Sequence, residues 1–193
     1  MKWLPLLAVG VACGGSGDQQ AETQPVDTVV PDAELVMPAI PEAARGRLAV
    51  ASAGPLGLSA TFRARAGRCT DPSSLQIAVH EPLEGIMLLL LIPTDGDSLV
   101  AYPIVLGDSL PAAPASRAGV QRIVDHRPYS WRAGNGEVTL TEWAGNLVSG
   151  TFTLTVQATD GFDEAMMAGA FRSLPVTALD SLVCRPSNQA PTR

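Results

Sequence analysis

The chain is poor in most of the residues that carry chemistry. Among its 193 residues are only two histidines, His80 and His126, three cysteines and 5% aromatics. Lys2 is the single lysine; every other base is an arginine. Charged residues make up 17% and the net charge is −6, which excludes the basic surface a nucleic-acid backbone requires. Two histidines far apart in sequence give no zinc spacing. No apolar run approaches the roughly 20 residues of a membrane-spanning helix. Sustained helical periodicity and internal repeats are also missing. Gly (18) and Pro (16) are common, yet below the level of collagen-like or wholly disordered chains. What remains is one domain of ordinary size with room for a real core.

Met1-Lys2 is followed by an apolar run from Trp3 to Ala12, too short to span a bilayer and suited to a signal-peptide core. Val9-Gly10-Val11-Ala12-Cys13 resembles the lipobox of bacterial lipoproteins, with Gly10 where that family usually has Leu. The resemblance implies a signal peptide over residues 1–12 and a diacylglyceryl group on the Cys13 thiol. It also implies attachment to a membrane of the bacterial cell envelope. Gly14 after the cysteine favours the outer membrane, by similarity to enterobacterial sorting signals. Residues 13–44 contain six acids and no base, together with Pro25, Pro31, Pro38 and Pro41. This composition predicts a disordered acidic tether. Val29-Val30 and Leu35-Val36-Met37 leave open that its second half docks on the domain.

Residues 45–186 read as a β domain, with 187–193 as a disordered tail. Val148, Gly150, Phe152, Leu154, Val156 and Ala158 alternate with Ser149, Thr151, Thr153, Thr155 and Gln157. A period of two over this length is a half-buried strand. Val138 and Leu140 alternate in the same way, with Trp143 on the threonine face. Ala144-Gly145-Asn146 supplies the hairpin turn between the two segments. Asp160-Gly161 leads to a third partner, 165–174, where Glu164-Ala165-Met166-Met167 would also suit a helical turn. Leu58 to Arg65 and Leu75 to Val79 alternate as well. Ile86 to Ile92 is uniformly apolar, as in a strand buried on both faces. Segments 99–105 and 120–124 are weaker strands. About eight short strands predict an all-β fold, an antiparallel β-sandwich or small β-barrel. In an exported domain Cys69 and Cys184 are expected to form a disulfide.

Gly-Asp-Ser-Leu occurs twice, at 96–99 and 107–110, and resembles the nucleophile block of GDSL-type esterases. That family takes its base from an Asp-x-x-His block near the carboxyl end, and no histidine follows His126 here. Without a base the serine hydroxyl is inert, and both copies read as turns. Asp95-Gly96-Asp97 lacks the ordered set of oxygens that calcium needs. No catalytic residue, metal or cofactor is therefore expected. Tyr129, Trp131 and Trp143 are the candidates for contact with a ligand, an envelope protein or a glycan. The expected function is binding or structural interaction at the envelope without enzymatic activity. A small-molecule, lipocalin-like carrier is the alternative, and a hydrolase the most remote.

Overall fold

The computed structural model describes residues 42–94, 98–107, 111–161, 163–180 and 184. They lie in one compact unit, Glu34–Arg193, and are nearly all β. In chain order the strands are β1 (Arg47–Ala53), β2 (Ser59–Arg63), β3 (Arg65–Thr70), β4 (Ser73–His80) and β5 (Glu84–Leu91). They continue with β6 (Ala101–Pro103), β7 (Ala115–Val124), β8 (Arg127–Ala144), β9 (Leu147–Ala158) and β10 (Glu164–Ala178).

The pairing runs back on itself. β1 pairs β2 and β10; β3 pairs β4, then β5, β7, β8 and β9 come next as antiparallel neighbours, and β9 pairs β10. β2 and β3 are one path interrupted at Ala64. β10 outruns the start of β1, and its last residues, Val176–Ala178, pair directly with Ala66–Arg68 of β3 in parallel. The result is a ring of strands, which meets the all-β expectation. β6 is a wedge: it pairs β8 at Val138, and Ile104 bridges to Ser116 of β7 where β7 and β8 have separated.

The inner face carries the alternating apolar set. Leu48, Val50, Leu75, Ile77, Val79, Ile86, Leu88, Leu90, Phe152, Leu154, Met167 and Phe171 belong to one buried cluster that draws on every stave of the ring. Beneath it the hairpins obey turn chemistry. Val124 pairs Arg127, so Asp125 (φ 50°) and His126 (φ 63°) form a two-residue turn with both angles positive, the type I′ arrangement. Ala144 pairs Leu147, which places Gly145 (φ 59°) first in the two-residue turn between β8 and β9. Glu164–Met167 lies in β10, so strand pairing with β9 overrides the local helical tendency.

Two local expectations change. β5 is a strand, but it is not buried on both faces: Met87 is 53% exposed while Ile86, Leu88 and Leu90 point inward. Along the outward phase exposure falls from Met87 through half-buried Leu89 to buried Leu91, so only the Met87 part of the outer face meets solvent. The second change concerns β8, whose 18 residues join segments that look separate in sequence. Its ladder with β9 shifts register at Gly134 and again at Thr141. Each shift is a bulge, and each exchanges the inward and outward phases. Trp143 therefore lies opposite fully buried Val148, on the inner face and not on the threonine face.

Candidate functional site

The ring has two ends, and the candidate aromatics divide between them. One end gathers the β1–β2, β4–β5, β7–β8 and β9–β10 turns; the other gathers the start of β1, the β3–β4 and β8–β9 turns and the end of β10. Tyr129 and Trp131 belong to the first. Their ring centroids are 6.1 Å apart, and Trp131 is only 8% exposed within the core cluster. Trp143 belongs to the second, twelve positions along the same strand. The three aromatics cannot form a single stacking platform.

At the Trp143 end the aromatic rings close the interior. Trp143 is half-buried against the core, and the Arg68 guanidinium lies over its ring at 5.5 Å. Tyr102 is fully buried, with its hydroxyl donating to the Ser98 carbonyl at 2.7 Å. The Ser116 hydroxyl in turn donates to the Tyr102 carbonyl at 2.6 Å. Outside the ring here, Leu179 covers Gly67 and its amide donates to the Arg68 carbonyl at 3.0 Å. Cys184 is bonded to Cys69 with S–S 2.08 Å, as expected. Trp143→Ala is expected to cost about 2 kcal/mol, less than a fully enclosed tryptophan because part of its surface is already wet. Urea unfolding of the variant checks this, and an unchanged midpoint would return the ring to the solvent face.

At the opposite end the β1–β2 loop, residues 54–58, is folded across the opening. Leu56 is fully buried and Leu58 almost so. Ser52 ties the loop base: its hydroxyl accepts from the Leu58 amide at 2.7 Å and donates to the Leu58 carbonyl at 3.3 Å. A strut crosses from the far wall of the ring. Arg122, in phase with inward Ala118 and Val120 on β7, donates from Nη1 to the Leu56 carbonyl and, at 3.3 Å, to the Gly57 carbonyl. Arg122 lies directly opposite Tyr129 on one side and Glu84 on the other, and one diagonal step from Trp131. The Arg122 Nε–H and the Trp131 Nε1–H are buried and have no acceptor among the described residues. Sequence reasoning misses Arg122 and Leu56. The available signal is an arginine standing on the apolar phase of a strand.

The remaining candidates do not assemble into chemistry. His80 is exposed at the end of β4, where it lines a pocket of about 170 Å³ with Leu83, Gln121 and Ile123, and His126 sits in the β7–β8 turn. Both imidazoles are thus at the Arg122 end. Ser98 is carried on the connection leaving β5 at the other end, beside Tyr102. The second Gly-Asp-Ser serine, Ser109, and the Asp95–Asp97 turn lie outside the described residues, as do Cys13 and the tether up to residue 41. Among the described residues no three His, Cys, Asp or Glu side chains come together to hold a metal. No helix among them is long and apolar enough to cross a membrane. The chain matches no family model, no curated protein and no solved structure.

Proposed function

We propose that the chain is a lipid-anchored protein of the bacterial cell envelope, in which an acidic tether carries a non-enzymatic β domain for binding or structural interaction. The observation that carries this reading is the continuous apolar filling of the ring, from Leu56 at one end to Tyr102 at the other. A filled body with covered ends acts as a scaffold whose outer surface and rims make contact with partners. The bonded Cys69–Cys184 pair fits an oxidising compartment outside the cytosol. The first described residues are fastened to the end of the domain. The Gly46 amide donates to the Arg172 carbonyl at 2.8 Å, Ala43 is buried, and Arg172 stands 3.7 Å from Glu42. The first described residues thus lie at the Trp143 end of the ring.

The lipid anchor is tested by metabolic labelling with a fatty acid. The wild-type chain is expected to incorporate label and fractionate with membranes, and Cys13→Ala to lose both. Label retained by the variant would remove the anchor from this reading.

A second reading, a carrier of small molecules, is favoured by one observation. The Arg122 end is closed by a loop, not by a strand, and the loop is held by two side-chain clasps, Ser52 and Arg122. Such a closure can open without breaking the ring.

A further inference from the structure

The stopper at the Arg122 end has the chemistry of a ligand. It presents an aliphatic side chain, Leu56, to the core and a carbonyl oxygen to a guanidinium, and the same guanidinium reaches the next carbonyl. A neutral carbonyl is a modest partner for a cation. The guanidinium already makes the carbonyl bond charge-assisted; a carboxylate adds an opposite charge and can take two donors of the fork at once. Two further donors are in waiting: Arg122 Nε–H and Trp131 Nε1–H, each buried without an acceptor among the described residues. Trp131 is more than nine-tenths buried, and an orphaned donor in such a place carries the full desolvation cost of the group. The counter-charge within the ring is also unused. Glu84 faces Arg122 in register, yet among the described residues no ion pair joins them.

We infer that this end is a binding site for short aliphatic monocarboxylates, which displace the β1–β2 loop. The aliphatic part replaces the Leu56 side chain in the core, and the carboxylate replaces the Leu56 and Gly57 carbonyls on Arg122 while accepting from Trp131. The inference rests on the carrier reading. The ligand's size is set by the stopper: a leucine side chain has four carbons, so the acyl chain that fits is short and branching is tolerated. A long-chain lipid finds no room, because the cluster beneath Leu56 is filled.

The test is a titration of the full chain, carrying Cys13→Ala so that it stays unlipidated, with sodium 4-methylpentanoate, monitored by the indole N–H signals in a nitrogen-15 NMR spectrum. Trp131 is expected to shift saturably, while Trp143, at the opposite end, serves as the internal control and stays in place. Acetate, which lacks the aliphatic part, and 4-methylpentanamide, which lacks the charge, are expected to bind at least about 10-fold more weakly. Arg122→Gln is expected to weaken 4-methylpentanoate about 10- to 100-fold, the range for loss of a charged hydrogen-bonding partner. Glu84→Gln removes the facing carboxylate and is expected to tighten binding several-fold. Should Arg122→Gln fail to fold, Ser52→Ala decides: loosening the loop base tightens binding if the loop competes with the ligand, and leaves it unchanged if it does not. A Trp131 signal that never moves overturns the site; the carrier reading falls separately, if hydrogen exchange finds the amides of residues 54–58 as protected as those of the strands, so that the loop does not open. Equal binding of the amide and the carboxylate overturns the carboxylate assignment while leaving a carrier in place.

Discussion

Loss of the Cys69–Cys184 bridge, by Cys184→Ser or by reduction, is expected to lower stability by about 4 to 5 kcal/mol. The bridge closes 115 positions of sequence, and chain entropy sets a cost of that size on leaving so long a loop open in the unfolded chain. The native side of the balance points the same way. At the Trp143 end the ring is sealed where β10 meets β3, and that seam is only three residue pairs long, Val176–Ala178 against Ala66–Arg68. The bridge lies just beyond it, and between the two Leu179 covers Gly67. Freed of the bridge, the C-terminal segment is expected to fray first, exposing Gly67 and then the seam. Urea unfolding with and without reductant measures the loss. Hydrogen exchange should show amides of β3 and the end of β10 losing protection before those of β8 and β9. A loss under about 1 kcal/mol would show that residual structure in the unfolded chain, not the open loop, sets the reference.

The strands that were legible in the sequence are those with one face in the core and one in water. Val148–Ala158 reads correctly because Phe152, Leu154 and Val156 are inside while Thr151, Thr153 and Gln157 are outside. Bulges defeat the same reasoning. Gly134 and Thr141 look like ordinary strand residues, yet each reverses the phase of the strand beyond it, and Trp143 changes faces as a result. β10 repeats the effect: Ala165, Met167 and Phe171 point inward before its register shift, and Leu174 afterwards. Its extra residue, Ser173, has φ 48°, and its amide donates to the Ser149 hydroxyl at 3.0 Å. No local pattern announces that contact, because its partner lies 24 positions away. Closure of the ring by β10 on β1 is equally non-local. The Arg122 end was half legible: Tyr129 and Trp131 stand out by type, whereas Leu56 matters only because the loop that carries it crosses to Arg122.

Gly169→Ala is expected to cost about 3 kcal/mol, at the upper end of what one added methyl usually does in a packed interior. β9 and β10 face each other through two reciprocal pairs. Phe152 lies opposite Gly169, and Phe171 lies opposite Gly150. Each phenylalanine ring covers the glycine across from it, so a Cβ on Gly169 would overlap the Phe152 ring and one on Gly150 would overlap the Phe171 ring. At Gly169 the methyl would also meet the backbone carbonyl oxygen of Ala49 on β1, which cannot turn aside as a side chain can. β10 is held there by β1 on one edge and β9 on the other, so relief requires spreading the ladder. The two obstacles separate in a double-mutant cycle. Phe152→Leu removes the ring and should recover part of the Gly169→Ala loss, leaving the share due to the Ala49 carbonyl. Full recovery would place the whole cost in the ring contact. A Gly169→Ala variant within about 0.5 kcal/mol of wild type, the ordinary scatter of surface substitutions, would mean that β1, β9 and β10 are not packed as closely as this register requires.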